Sequence, residues 1–319
     1  MKALLILSTT LSLSAAAHAD DLLLVVNKGD DTLAIVDAET LSIDALVGTG
    51  RNPHEVAVSP DHQTAYVSDY GGARGNTVSV VDLETAERTA VWDLGQNIGP
   101  HGIWASTDGA HVWVTTETSG TVTEIAVATG EITRVWATGQ RVSHQLVPTP
   151  DSSKLYIANI GSGSVTVIDR RDDSVVSIPT GAGAEGIDVS ADGAEVWVTN
   201  RAANTVSIIE TATDAIIADF NSGGEFPIRA KFTTDGREVY VSNATSGDVA
   251  VFDARTRELL TTIDVGAVPI GIVMDADGSR AFIANTQDDF VTVIDTATRT
   301  VTGRIETGDE PDGMAWVVR

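Results

Sequence analysis

Three histidines and two carboxylates occupy one recurring position of this sequence. The position follows a repeated anchor residue, and in successive copies it holds Asp312, His54, His101, His144, Glu185, Ile228 and Ile270. Imidazole nitrogens and carboxylate oxygens are common ligands of transition metals. A histidine also exchanges protons near neutral pH. If the side chains meet in space, the sequence therefore offers a site for metal binding or for proton transfer.

The repeat that contains this position is also marked by a block of four residues, an aromatic or apolar residue followed by two small or β-branched residues and often Asn. The copies are Leu24–Asn27, Tyr66–Asp69, Trp113–Thr116, Tyr156–Asn159, Trp197–Asn200, Tyr240–Asn243 and Phe282–Asn285. Their last residues lie 41 to 47 positions apart. A period of this length is typical of propellers, solenoids and related arrays.

Each copy has the pattern of four β-strands. In one copy, alternating and β-branched runs predict strands over Glu55–Ser59, Thr64–Ser68, Thr77–Val81 and Thr89–Leu94. Asp-Gly pairs such as Asp192-Gly193 predict tight hairpins between the first two strands. Four strands at this period indicate the blade of a β-propeller.

Seven copies predict a seven-bladed, all-β propeller with four-stranded antiparallel blades. The ends of the repeat are out of phase, because the chain begins with a second strand, Leu22–Val26, and ends after a first strand, Gly313–Val318. We expect these strands to share one blade, with the C-terminus as its innermost strand. This arrangement would close the ring and remove the edges of an open array.

The blocks quoted above, together with Asn204–Ile208 and Val293–Asp295, resemble the YVTN family of β-propellers, many of which are secreted bacterial proteins. The resemblance covers residues 22–319. It implies the fold more specifically than the function. Relatives of this kind include sugar lactonases, a streptogramin lyase, haem- or copper-carrying domains of nitrogen-oxide reductases and proteins without an assigned activity.

In a propeller, the position of the histidines lies where a loop enters an innermost strand. Corresponding residues of neighbouring blades should then meet at one mouth of the central channel. His54, His101 and His144, with Glu185 or Asp312, would suit zinc, copper, iron or nickel. Two other interpretations stay open at this point. One histidine could act as a general acid or base, or the side chains could line the channel without a specific role.

Other candidate residues come from loops on the same side. The loops after the four-residue blocks place these residues around the mouth: Asp69, Tyr70, Arg74, Glu117, Asn159, Asn200, Arg201 and Asn243. The loop over residues 69–76 and the segment over residues 95–100 are longer than their counterparts. Arg229, one residue beyond the histidine position, should pair with Glu55 or Glu185 or bind an anionic group. We name Asp69, Tyr70, Arg74 and Arg229 as candidate ligand-binding residues.

The N-terminal residues 1–19 have the pattern of a cleaved secretory signal peptide, with an apolar run and an Ala17-His18-Ala19 cleavage sequence. Residues 20–319 would then form a single propeller domain in the periplasm or outside the cell. No later apolar run is long enough to span a membrane. We expect a monomer.

Composition narrows the classes of partner. The formal net charge is −25, which argues against nucleic acids and anionic membranes as partners. The chain has no cysteine, so disulfides, thiolate metal ligands and covalently attached haem are excluded.

Three functions remain at this stage. The first is the binding of a transition metal or small ligand at the histidine-rich mouth. The second is a lactonase- or lyase-type enzyme that uses the same face, with a bound metal or Arg229 stabilising negative charge. The third is a protein-interaction scaffold, with a periplasmic protein as its partner.

Overall fold

The computed structural model describes residues 21–319. The signal peptide expected over residues 1–19 lies outside this range. The described chain forms seven four-stranded antiparallel sheets that contain 28 strands. The prediction of an all-β, seven-bladed propeller is confirmed.

In four blades the first two strands are joined by the hairpins that the Asp-Gly pairs predict, at Gly109, Gly193, Gly236 and Gly278. The innermost strands are β28 (Pro311–Val317), β4 (Pro53–Val58), β8 (Pro100–Ala105), β12 (Ser143–Pro148), β16 (Ala184–Val189), β20 (Pro227–Phe232) and β24 (Pro269–Met274). The second strands are β1 (Leu22–Asn27), β5 (Thr64–Asp69), β9 (His111–Thr116), β13 (Lys154–Asn159), β17 (Glu195–Asn200), β21 (Glu238–Asn243) and β25 (Arg280–Asn285). The four-residue blocks of the repeat therefore all end second strands.

The outermost strand of each blade carries the most exposed residues, whereas the third strand is largely buried. The third strands are β2 (Thr32–Asp37), β6 (Thr77–Asp82), β10 (Thr121–Ala126), β14 (Ser164–Asp169), β18 (Thr205–Glu210), β22 (Asp248–Asp253) and β26 (Phe290–Asp295). The outermost strands are β3 (Ser42–Gly48), β7 (Glu87–Asp93), β11 (Glu131–Ala137), β15 (Ser174–Pro179), β19 (Ala215–Asn221), β23 (Leu259–Asp264) and β27 (Thr300–Glu306).

The ring closes in the way the sequence predicts. One blade has the strand order β28-β1-β2-β3, so the C-terminal strand is innermost and the N-terminal segment supplies the other three. Leu22 pairs with Val317, and Leu24 with Ala315. Neighbouring innermost strands contact one another around the whole ring, including β28 with both β24 and β4.

The core lies between the blades rather than in one central mass. Trp113 is buried among residues of its own blade and of the next one, including Val122, Leu146 and Ile157. Trp197, Tyr156, Tyr66, Tyr240 and Phe282 occupy equivalent positions between other pairs of blades. The repeated aromatic residue is therefore a packing element of the scaffold.

All seven innermost strands begin at the same face, and we call the channel opening on that face the mouth. The described part of the chain, residues 21–319, contains no helix with the length and apolar character needed to cross a bilayer.

Candidate functional site at the channel mouth

The three histidines meet at the mouth. Each is the second residue of an innermost strand, in β4, β8 and β12 respectively. The ring centroids of His54 and His101 are 4.6 Å apart, and those of His101 and His144 are 3.6 Å apart. His101 therefore stands between its two neighbours in a continuous cluster of imidazoles.

The backbone at the start of each innermost strand explains how these side chains reach the channel. The residue before each anchor has a positive φ in all seven blades: Asn52, Gly99, Val142, Gly183, Phe226, Val268 and Glu310. In β4 the pairing with β5 then jumps from Pro53 to Val56, which leaves His54 and Glu55 outside the regular ladder. Such an irregularity redirects side chains, and in β4 it frees His54 and Glu55 to face the channel.

His144 lies between two carboxylates. Its Nδ1 contacts Oε1 of Glu117, and its Nε2 lies 3.4 Å from Oε1 of Glu185. Burial by itself favours the neutral imidazole, but the hydrogen bond and charge of Glu117 and the charge of Glu185 outweigh it and raise the pKa of His144. In the metal-free protein His144 is thus biased towards the imidazolium form.

The two carboxylates differ in their own environments. Burial acts to raise the pKa of Glu117, but hydrogen bonds with His144 and Tyr70 outweigh it, so the pKa falls below its ordinary value. The pKa of Glu185 is raised, chiefly because the group is buried. Arg201 holds Glu185 through Nη1, at 3.1 Å from Oε1 and 2.9 Å from Oε2.

His101 has the opposite character from His144. Its side chain is buried, and within residues 21–319 its Nδ1 has no hydrogen-bond partner. Burial, followed by the positive charges of His144 and His54, lowers the pKa of His101 well below its ordinary value. His101 is therefore a neutral imidazole with an unused nitrogen, which is the form that binds metals.

His54 is oriented by a second carboxylate. Its Nδ1 lies 3.2 Å from Oδ2 of Asp312, and Nζ of Lys28 lies 3.4 Å from the same oxygen. Burial acts to raise the pKa of Asp312, but Lys28 and His54 outweigh it and hold this pKa below the ordinary range. Asp312 thus serves as an anionic partner of His54 and Lys28.

Tyr70 connects the two parts of the cluster. Its ring centroid is 4.4 Å from that of His54, and its hydroxyl donates a hydrogen bond of 2.6 Å to Oε2 of Glu117. The loop over residues 69–76, which carries Tyr70, is hydrogen-bonded to the segment over residues 95–100, since the amide of Gly99 donates to the carbonyl oxygen of Gly75 at 2.8 Å. These two long segments therefore stabilise each other at the site.

Two loop candidates lie away from the imidazoles. Asp69 is buried, and its carboxylate accepts hydrogen bonds from the amide of Gly50 and from the hydroxyls of Thr77 and Ser79. It holds neighbouring blades together. Arg74 is exposed near the tip of the 70–75 loop.

A polar layer closes the channel beneath the histidines. Nη2 of Arg229 donates to Oε1 of Glu55 at 2.6 Å, and Nε2 of Gln145 donates to the same oxygen at 2.5 Å. Of the partners that the sequence left open for Arg229, the structure shows Glu55. We call these three side chains the polar layer.

Glycines alternate with the members of the polar layer around the ring. They are Gly102, Gly186, Gly271 and Gly313, each one residue beyond the position of the histidines. A Cβ at Gly271 would lie 2.1 Å from the carbonyl oxygen of Asp312, and one at Gly186 would lie 2.2 Å from that of Ile228. The close approach of neighbouring strands therefore requires glycine at these positions.

Glu117 is the main functional residue that sequence reasoning did not include among the ligands. His101, Glu117 and His144 each offer one ligand atom, and these three atoms lie within 4.8 Å of one another. Bond lengths of about 2.0–2.2 Å to one ion would bring such donors to roughly 3–4 Å of each other. A small side-chain adjustment would therefore let them share an ion.

A second variable position of the repeat carries the signal for Glu117. The residue after each second strand is Lys28, Tyr70, Glu117, Ile160, Arg201, Ala244 and Thr286 in the seven blades. Four of these residues contact the histidine cluster or its carboxylates. The site is therefore built from two adjoining rings of variable positions. The sequence predicted metal ligands only from the first ring, although it placed Tyr70, Glu117 and Arg201 of the second ring near the mouth.

Most of the chain matches the model of one protein family. The family described as Lactonase, 7-bladed beta-propeller matches over residues 48–264 and 140–308. This chain belongs to that lactonase family. The match supports the propeller part of the resemblance drawn from the repeat blocks, but not the YVTN name specifically.

Individual relatives of this lactonase-family chain are distant. The seven-bladed beta-propeller protein Rv1057 of Mycobacterium tuberculosis is 30% identical over 132 residues, which is 40% of this chain and 32% of the relative. The aligned part thus spans about a third of that curated protein.

Solved structures share the fold at low identity. Hydrazine synthase of Kuenenia stuttgartiensis has a TM-score of 0.78 and 22% identity, covering 86% of this chain and 92% of the other. A candidate 6-phosphogluconolactonase from Bacteroides fragilis has a TM-score of 0.76 and 16% identity, covering 94% of this chain and 98% of the other. These likenesses establish the architecture of the lactonase-family chain and leave its chemistry to the site.

Proposed function

We infer that the mouth binds a divalent transition-metal ion through His101, Glu117 and His144, and presents that ion to a small ligand. The observation that carries this proposal is the unused Nδ1 of His101. Leaving a buried polar atom without a partner costs about 1–3 kcal/mol. A metal ion bound through this nitrogen would satisfy it, and Glu117 and His144 offer further ligand atoms close to His101.

The surroundings of the three ligands also favour an ion. Histidines that bind metals commonly have their second nitrogen held by a carboxylate. His144 has Glu185 on its Nε2 side, and Glu185 is itself held by Arg201. His54, with its Nδ1 directed to Asp312, lies beside His101 and could supply a further ligand from its other nitrogen.

The donor set restricts the choice of metal. Two imidazoles and one carboxylate, without sulfur, suit zinc, copper, iron or nickel better than calcium or magnesium, which prefer oxygen ligands. A bound ion of this kind would act as a Lewis acid or lower the pKa of a bound water. His144 must lose its proton to bind the ion, so affinity should increase with pH through the pKa of His144.

The proposal is tested by metal content and titration. Protein prepared without a histidine tag, stripped with chelator and titrated with Zn²⁺, Cu²⁺ or Ni²⁺, should take up close to one ion per chain. His101→Ala should remove this uptake. The matched control is His111→Ala, because His111 begins β9 at the opposite face and lies outside the cluster.

Two results would refute metal binding at the mouth. One is the absence of uptake of any of these ions by the unaltered protein. The other is equal uptake by the protein and by His101→Ala, which would place the ion elsewhere.

A second candidate function is the opening of a cyclic ester. It is favoured by membership of the lactonase family together with the placement of His144 between two carboxylates. In this reaction neutral His101 would take a proton from the attacking water, and the His144 imidazolium would stabilise the developing oxyanion. The ring oxygen would leave as an alcohol, which gives a hydroxy acid.

Lactone opening can be separated from metal binding. A panel of sugar and aliphatic lactones should be followed by acid release, with and without chelator. Loss of hydrolysis in His101→Ala and His144→Gln, but not in His111→Ala, supports the enzyme. Hydrolysis that is unchanged in both site variants excludes these roles.

We also propose export to the periplasm or the exterior, on the basis of the pattern over residues 1–19. Fractionation of cells that produce the full chain, with mass spectrometry of the mature N-terminus, tests this. Full-length protein confined to the cytoplasm would overturn it.

A further inference from the structure

A second cavity lies in the channel beyond the polar layer, at the end opposite to the histidines. Its volume is about 300 Å³, and residues from all seven blades line it. The polar layer of Glu55, Gln145 and Arg229 forms its floor and separates it from the mouth. The channel is thereby divided into two compartments with different linings.

The wall of this cavity combines apolar and polar surface in similar proportions. Part of the apolar surface comes from the residue two positions beyond the first variable position, which every blade contributes: Val56, Ile103, Leu146, Ile187, Ala230, Ile272 and Met314. Trp104 and Trp316, both partly exposed, continue the lining towards the solvent. A cavity that combines apolar side chains with a few convergent polar groups is typical of small-molecule sites.

The charged groups of the cavity are paired with one another. Arg229 is paired with Glu55 at 2.6 Å in the floor, and Lys231 is paired with Asp188 at 3.3 Å nearer the opening. Each cation thus faces its own anion. A ligand with a net charge would lose hydration here without gaining a free countercharge.

The floor nevertheless offers hydrogen-bond donors. A guanidinium carries five N–H groups, and within residues 21–319 the side chain of Arg229 makes one hydrogen bond, through Nη2 to Glu55. Because Arg229 lines the cavity, we expect its remaining donors to be within reach of a ligand there. They would be satisfied by an oxygen that accepts hydrogen bonds without carrying a full charge.

We propose that this compartment is a second binding site, specific for a neutral, amphipathic small molecule that carries an acceptor oxygen. Its apolar body contacts the ring of aliphatic side chains and the two tryptophans. Its oxygen points to Arg229. The site is independent of metal binding at the mouth.

The test uses three naphthalene derivatives of similar shape: 2-naphthol, 2-naphthoate and 2-naphthylmethylammonium. Isothermal titration calorimetry near neutral pH should give saturable binding of 2-naphthol at one site. The two charged probes should bind at least about tenfold more weakly. Quenching or enhancement of tryptophan fluorescence should follow the same isotherm, because Trp104 and Trp316 line the cavity.

Variants locate the site. Ala105→Phe and Met314→Trp fill the cavity from different blades, and each should weaken 2-naphthol binding by about tenfold or more. His101→Ala, at the mouth, should leave binding unchanged. Thermal unfolding and circular dichroism show whether each filled variant is folded, and the use of two separate blades provides an independent second variant.

Three outcomes would overturn the proposal. The first is the absence of saturable binding of 2-naphthol, as expected of a merely water-filled channel. The second is equal or tighter binding of a charged probe. The third is binding that persists in both filled variants or is lost in His101→Ala.

Discussion

The two ends of the channel are built from the same seven strands but have opposite chemistry. At the mouth, side chains such as His101 and Glu117 carry perturbed pKa values and lie next to one another. Beyond the polar layer the wall combines apolar and polar surface, and the charges that remain are paired. The repeat therefore fixes which positions lie at each end of the channel, and single variable positions decide which end performs which chemistry.

The largest effect on stability is expected at the polar layer, which separates the two ends of the channel. Arg229→Met would leave Glu55 buried beside Gln145 without its cation, and the free energy of unfolding should fall by about 3–5 kcal/mol. Chemical denaturation measures this change. The double variant Arg229→Met/Glu55→Met should recover most of the loss because no uncompensated charge remains.

An exposed arginine provides the control for the loss of stability expected in Arg229→Met. Arg237→Met removes an exposed arginine and should change the free energy of unfolding by no more than about 0.5 kcal/mol. If Arg229→Met were as mild as Arg237→Met, the polar layer would not be a structural partition.

The next largest effect concerns the hydrogen bond that Tyr70 donates to Glu117 at the mouth. Tyr70→Phe keeps the ring beside His54 but removes the hydroxyl that donates to Glu117. Metal affinity should fall by about 10–100-fold, as is usual when a partner of a ligand is lost. Competition with a chromophoric chelator measures the dissociation constant.

Tyr66→Phe is the matched control, because Tyr66 packs against Trp92 between blades and not at the mouth. Its metal affinity should equal that of the unaltered protein. The role assigned to Tyr70 is wrong if the two tyrosine variants bind the ion equally well.

The charge of Asp312 makes the contribution of the mouth to protein stability depend on pH. Its pKa is depressed in the folded protein, so ionised Asp312 contributes stability above the ordinary carboxyl pKa, and this contribution is lost as the pH falls. Asp312→Asn should therefore be less stable than the unaltered protein at neutral pH, and the two should converge on acidification.

Denaturation midpoints at about pH 7, 4 and 2 test this expectation, because the contribution is lost only as the pH falls through the depressed pKa of folded Asp312. The exposed Asp44 supplies the control, since Asp44→Asn should follow the pH dependence of the unaltered protein. A constant gap between Asp312→Asn and the unaltered protein at every pH would refute the assignment.

The smallest effect concerns the backbone that aims His144. Val142 has a φ of 57°, which is unfavourable for a β-branched residue, whereas the equivalent residue of the preceding blade is Gly99 and that of the one before it is Asn52. Val142→Asn should raise the free energy of unfolding by about 1 kcal/mol. Thermal unfolding should show a rise in Tm of about 2 °C.

Val142→Asn should leave 2-naphthol binding at the far end of the channel unchanged. A decrease in stability would show that packing of the valine side chain outweighs the strain of its backbone.

Most of the fold could be predicted because the sequence contains seven copies of the same four-strand pattern. The period, the Asp-Gly hairpins and the out-of-phase ends together specify the blades and their closure. That Arg229 pairs with a carboxylate could also be foreseen, since a buried cation near the axis needs an anion. The choice of Glu55 over Glu185 could not, because it depends on which side chain reaches the guanidinium.

The site was predictable only in part. The position shared by His54, His101 and His144 could be found because it departs from the repeat. The role of Glu117 could not be fixed, because it depends on which imidazole nitrogen its carboxylate reaches, and side-chain direction is not encoded in spacing. The unused Nδ1 of His101 follows from burial, which only the folded ring shows.

The shared blade also constrains how the ring forms in time. β28 completes the sheet of β1, β2 and β3, and its pairing joins Leu22 to Val317 across nearly the whole described chain. The six other blades can each form from a continuous segment, but β1 has no inner neighbour until the last strand arrives. Both rings of site residues take their final spacing only at that step, so the histidine cluster should assemble last during folding.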